Sequence, residues 1–242
     1  MAPREHPVAS VSATTPMSPE YRRMLLRVLA EHARGELWAA HMYSSWIPRA
    51  PGPAEKLYVA DIAHEEVQHW AKVIKLMEEL GISHDRAQEH QRPHRVFFGL
   101  ARLLVPRFTW LDVLLVSFLI DRAACFIIQD YAQSSYAPHA QVSQEILREE
   151  EGHASFGCNA LGTQVQKLGI DRVERAFARW WRIALNMFGP AQTRNTDVYL
   201  RLGLWSRTNE ERRQAFCRNC EPEIERLGLT MPRLRRAIYP FF

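Results

Sequence analysis

Four cysteines in 242 residues are too few and too scattered for a disulfide framework. Cys125 and Cys158 fall in stretches of core pattern. Cys217 and Cys220 form a single Cys-x-x-Cys, and neither a second pair nor histidines at matching spacing complete a structural zinc site. Reduced thiols are therefore expected, which fits a cytoplasmic location. No uninterrupted apolar run reaches the roughly eighteen residues of a membrane span, so no membrane partner is expected. Residues 1–19 lack the apolar segment of a secretory signal; with Pro3, Pro7, Pro16 and Pro19 among Ser, Thr and Ala, they read as a flexible tail. Dense Lys/Arg clustering is absent too, which argues against a nucleic-acid partner.

What is present is ample core material, 47% hydrophobic residues, enough for one large domain or one with an extension. The formal net charge is +4. Acids committed to a metal would leave a more basic surface than that count suggests. Such a surface suits an anionic partner, a phosphate-bearing cofactor or an acidic protein.

The chemistry is carried by a doubled motif. Glu65-Glu66-Val67-Gln68-His69 and Glu149-Glu150-Glu151-Gly152-His153 each contain Glu-x-x-His. On a helix, residues three apart lie about 60° apart, so a Glu oxygen and a His nitrogen can reach one ion. Val59, Ala63, Glu66, Trp70, Val73, Met77 and Leu80 form an apolar stripe at 4-3-4-3 spacing, with His69 beside it. Glu66 therefore points inward, and Glu65 joins Asp61, Gln68 and Lys72 on the wet face. In the second copy Ile146, Glu150, His153 and Gly157 share a face, while Glu151 falls with Gln144, Arg148 and Ser155 toward water. Glu149 is not assigned by its face; Glu150 is chosen by its spacing to His153. A bare charge in a core costs several kcal/mol unless it is paired or metal-bound, so these positions call for a cation.

Two more carboxylates precede the motifs. Leu25, Leu29, His32, Glu36, Ala39, Tyr43 and Trp46 make another stripe, with Glu36 thirty residues before Glu66. His32 is read as a supporting or core histidine, not a ligand. Asp121 ends the apolar run 113–120, broken only by Ser117, twenty-nine residues before Glu150. The expected ligand set is Glu36, Glu66, His69, Asp121, Glu150 and His153, with the four carboxylates also in catalytic roles. One acid from each of two helices and Glu-x-x-His from each of two others is the set of carboxylate-bridged di-iron or di-manganese bundles.

The expected fold is all-α: a ferritin-like four-helix bundle with a C-terminal helical extension. Helices are read at about 19–46, 54–80, 109–133 and 139–168, with a long basic link over 82–106. Its histidines His84, His90 and His94 are read as exposed, and 96–105 as a short helix. A fifth helix covers about 171–188, a short one 198–206, and a last one runs from a Thr208–Glu211 capping box to about 227. The domain reading is a tail at 1–19, the bundle with its fifth helix at 20–190, and the extension at 191–242. The terminal aromatics Tyr239, Phe241 and Phe242 read as a docking element.

Ser135-Tyr136-Ala137-Pro138, Glu149-Glu150-x-x-His153, Trp180-Trp181, Met187-Phe188-Gly189-Pro190 and Ile224-Glu225-Arg226-Leu227-Gly228 with nearby Pro232 add a family likeness. Over roughly 30–232 the chain resembles the A-type catalytic subunits of the ring-1,2-phenylacetyl-CoA epoxidases, with Asp121 where many ferritin-like enzymes carry Glu. The resemblance implies two iron ions, O₂ as oxidant, an aryl acyl-CoA or related small-molecule substrate, a non-catalytic bundle subunit, electrons from an external reductase, and an oligomer. Two departures stand out. Ile62 is apolar where that family can carry Lys, and the 191–196 loop is less acidic. The ligand set carries over; the identity of the substrate does not follow from it.

A tight apolar shell of Trp38, Trp70, Phe118 and Phe126 is expected to limit water at the metals. Two other readings share the ligand set: an iron- or peroxide-handling protein of ferritin or rubrerythrin type, and a structural subunit of a multicomponent oxygenase. The complete ligand set stands against the structural subunit. The extension past Gly189-Pro190 stands against plain storage.

Overall fold

The computed structural model describes residues 10–83, 86, 107–191 and 193–232. Helix α1 spans Pro19–Ser44. Pro19 suits its first turn, where no helical N–H partner is needed, and the Ser18 side chain accepts from Tyr21 N at 3.1 Å. Helix α2, Pro53–Glu79, again starts on proline and stops before Gly81, whose φ of 78° suits a residue without Cβ. The two helices pack along one another as the first hairpin.

The second hairpin is less regular. Helix α3, Trp110–Leu115, opens on a capping box: Asp112 Oδ2 accepts from Thr109 N at 2.8 Å while Thr109 Oγ1 accepts from Asp112 N. The helix then widens into a π-helical segment, Val116–Asp121, before α4, Arg122–Tyr131. Helix α5 runs from Ala137 to Leu168. Gly169 (φ 80°) joins it directly to α6, Ile170–Met187. Helix α7, Arg194–Arg201, begins and ends earlier than the 198–206 read from the sequence: Thr193 caps it through Thr196 N, and Gly203 (φ 69°) lies just past its end. The Thr208/Glu211 capping box opens α8, Asn209–Arg226, as read from the sequence. Val11, within the stretch read as a tail, pairs with the α4–α5 turn: Val11 N donates to Ser135 O at 2.7 Å and Val11 O accepts from Ala137 N at 2.9 Å. The expected short helix at 96–105, the link histidines His84, His90 and His94, and the terminal aromatics lie outside the described residues.

The chain is all-α and ferritin-like, and its core is split in two. One apolar cluster holds Tyr43, Ile62, Ala63, Phe118, Leu161, Trp181 and Phe216. The other holds Leu25, Leu29, Ala33, Val73, Met77, Ile146, Tyr131 and Tyr199. Along α1, α2 and α5 the polar residues Glu36, Glu66, His69, Glu150 and His153 fall between the two clusters, and all are buried. Apolar packing above and below therefore holds a layer of charge-bearing side chains away from water. None of the described helices is long and apolar enough to cross a membrane.

Candidate metal centre

Each side chain of this layer is placed by helical periodicity. Glu66 and His69 project one turn apart from α2, and Glu150 and His153 do so from α5. One ligand atom from each of Glu36, Glu66, His69 and Glu150 lies within 4.8 Å of the others. His69 Nδ1 is 3.3 Å from Glu150 Oε1, 3.5 Å from Glu36 Oε2 and 3.8 Å from Glu66 Oε2. His153 falls outside that tightest group but adjoins it: its Nδ1 is 3.5 Å from Glu66 Oε1 and 3.7 Å from Glu150 Oε2. Glu66 and Glu150 each present one oxygen to either histidine, so both straddle two half-sites. Asp121, also outside the tightest group, accepts a hydrogen bond from the Tyr43 hydroxyl.

The protonation pattern is that of a site built for cations. Burial, and then the Glu150 charge, raises Glu66 well above the usual carboxylate range. The same two causes push Asp121 up to about 8. Glu36 is buried as well, yet contacts from His32 and His69 outweigh burial and hold it low. Burial disfavours charge on His153, but Glu150 and Glu66 push it up to about 12, and His69 is raised in the same way. Glu66 Oε2, Glu150 Oε1, His69 Nδ1 and His153 Nδ1 are buried without a hydrogen-bond partner among the described residues. Four carboxylates against two divalent cations balance in charge, and those orphaned atoms are the lone pairs a metal takes. The donor set fits such ions.

One expectation is corrected here. Glu65, read as a water-facing bystander, accepts from His153 Nε2 at 2.7 Å while its side chain remains 39% exposed. The unassigned Glu149 does the same for His69 Nε2 at 2.5 Å. The braces cross, each motif's first acid orienting the other motif's histidine. Each holds the proton on Nε2 and turns Nδ1, the nitrogen whose proton a metal would displace, inward. The signal was in the sequence: both motifs read Glu-Glu-x-x-His. Glu151 is exposed, as expected. His32 behaves as a supporting residue, with its Nε2 2.7 Å from Glu36 Oε1.

A cavity of about 450 Å³ reaches Glu36, Glu66, Asp121 and Glu150. Its walls are apolar, from Trp38, Ala39, Ile120, Ala124, Ile127, Ile128, Trp180, Ile183 and Met187, with Glu31, Arg34 and Asn186 as half-buried polar residues. Of the four aromatics expected to shield the metals, only Trp38 lines this space. Phe118 and Phe126 face the first apolar cluster, and Trp70 packs on the second. The periodicity that buried them did not say against what.

A family model described as "Phenylacetic acid catabolic protein" matches residues 4–239. The chain belongs to that family. It is 30% identical over 239 residues to the A subunit of the 1,2-phenylacetyl-CoA epoxidase of Escherichia coli (strain K12), covering 94% of this chain and 76% of that relative. Of the family residues quoted from the sequence, Glu150, Trp180 and Met187 line the cavity; the others lie at the α4–α5 turn, elsewhere on α5 and α6, just past α6 and at the end of α8.

Proposed function

We propose that this family member is a non-haem di-iron oxygenase that transfers one oxygen atom of O₂ to an aryl acyl thioester of the phenylacetyl-CoA type. The observation that carries the reading is a buried floor of two straddling carboxylates and two braced histidines beneath an apolar cavity. Glu36, Glu66, His69, Asp121, Glu150 and His153 would hold the iron. When bound, iron supplies the activation of O₂, for which no side chain has the chemistry. The chain's own residues do the rest. Glu149 and Glu65 keep the Nε2 protons of His69 and His153 in place, so both rings offer Nδ1. Tyr43 holds one oxygen of Asp121. The walls from α1, α4 and α6 seat an aromatic ring and exclude water above the carboxylates. One oxygen atom enters the substrate and the other leaves as water, which requires two electrons and two protons from outside. An external reductase and a non-catalytic bundle subunit fit that need, as the relative's name as one subunit of an epoxidase also suggests.

The test is single turnover of the ferrous protein with labelled O₂ and a panel of acyl-CoAs, read by mass spectrometry. Label should enter a thioester product with wild type and not with Asp121→Ala. Oxygen uptake that ignores the thioester, with no labelled product and accumulating ferric mineral, would overturn the reading in favour of iron handling.

A further inference from the structure

We propose that His139 is a positioning residue for the metal centre, acting through His32 to hold Glu36 with one oxygen turned away from the metals. This rests on the di-iron reading for its consequence but not for its geometry. His32 and His139 come from α1 and α5 and are 4% and 0% exposed. His32 Nδ1 lies 2.9 Å from His139 Nε2, and His32 Nε2 lies 2.7 Å from Glu36 Oε1. The ring of Tyr131 lies 4.9 Å from each of the two imidazoles.

His32 Nε2 makes no aligned hydrogen bond among the described residues, but at 2.7 Å from an oxygen that only accepts it must carry a proton. Nδ1 is then the nitrogen left to accept, and a buried site must satisfy it. His139 Nε2–H satisfies it. His139 has reason to stay neutral: it lies in the first turn of α5, at the positive end of the helix dipole, and burial with the neighbouring His32 lowers its pKa well below the ordinary value. Its other nitrogen, Nδ1, is buried with no hydrogen-bond partner among the described residues. An unpaired ring nitrogen costs free energy, and the gain that offsets it is the ordered chain from His139 through His32 to Glu36. That chain ends at His139 and reaches no solvent, so it orients and does not conduct protons. Glu36 Oε1 is thereby occupied, and Oε2, 3.5 Å from His69 Nδ1, is the oxygen left for the centre. Helix α5 thus carries Glu150 and His153 and also braces the ligand on α1.

The experiment pairs a metal-free readout with a metal titration. In the apoprotein, nitrogen-15 NMR of the histidine rings should find His32 protonated at Nε2. His139→Leu, apolar and close in size, should move or mix that tautomer; His139→Gln, which keeps a terminal N–H, should retain it. Cobalt(II) affinity should fall about tenfold in His139→Leu and hold within about threefold in His139→Gln. In a His32→Phe background, His139→Leu should cost no further affinity. If His139→Leu does not fold, the shorter His139→Asn, unable to reach His32, takes its place against Gln. An unchanged His32 tautomer in His139→Leu, or full loss of affinity in the His32→Phe background, would overturn the proposal. A tautomer change in a chain that binds no metal would leave His139 in its role and instead remove the di-iron reading.

Discussion

Carboxylates that touch a histidine from outside the metal layer set which of its nitrogens is free. Glu65 and Glu149 do this across the bundle, at 2.7 and 2.5 Å. Losing such a partner typically weakens metal binding by about 10–100-fold. Glu65→Ala should therefore lower metal affinity in that range, with Glu65→Gln between it and wild type. Glu151→Gln, on an exposed side chain, should leave affinity unchanged. Competition titration with a chelating dye reads all three, and equal affinities for Glu65→Ala and wild type would sink the brace. This is also where face assignment by periodicity fails. Hydrophobic spacing sorts residues into inside and outside, and it placed Glu36, Glu66, His69, Glu150 and His153 among buried residues, as observed. Glu65 sits on the boundary, half-exposed at one end and bonded to a buried ring at the other, a position that a two-way sorting cannot express.

At the scale of elements, the π-helical segment Val116–Asp121 determines where Asp121 points. A π turn takes in one residue more than an α turn, rotating the later residues by about 100°. The sequence conceals it, because every residue of 111–121 is buried, and the run 113–120, apolar but for Ser117, carries little register. Helix α5 packs against this segment at Gly157. A Cβ there would lie 2.5 Å from Phe118 N and 2.7 Å from Ser117 Oγ, and Ser117 Oγ donates to His153 O at 2.5 Å. Backbone cannot yield as a side-chain tip does. Gly157→Ala should cost about 1–3 kcal/mol. For a chain of this length that is a fall of roughly 2–12 °C in Tm. Gly162→Ala on the same helix meets only Leu227 Cδ2 at 3.9 Å and should be neutral or stabilising. Thermal melts of the two variants compare them directly; equal Tm values would mean that the close approach carries no energy.

Across the whole molecule, the hairpins were legible because each repeats one rhythm of stripe, carboxylate and turn. The attachment of the C-terminal helices was not. Nothing in the spacing links Arg207 and Arg212 to Asp130, 77 and 82 residues earlier. In the fold Asp130 is fully buried on α4. Its Oδ2 lies 2.5 Å from Arg212 Nε, and its Oδ1 accepts from Arg207 Nε at 2.8 Å and Ser206 Oγ at 2.7 Å. Arg212, itself 2% exposed, also lies over the Trp205 ring at 3.9 Å. Farther along α8, Phe216 stacks on Trp181 of α6 within the first apolar cluster. The bundle and α8 therefore share one core, and the ion pair sits at their seam. Removing one partner of a buried pair leaves the other charge uncompensated, at a cost of about 3–5 kcal/mol. Asp130→Ala should lower Tm by roughly 6–20 °C on that basis. Because α8 shares the first apolar cluster with the bundle, the loss should appear as one cooperative transition shifted downward, with helix signal and tryptophan fluorescence melting together. If fluorescence and helix signal separate in the variant while the metal-binding layer keeps its affinity, α7 and α8 unfold on their own, and the pair is a local clasp, not a seam of the whole fold.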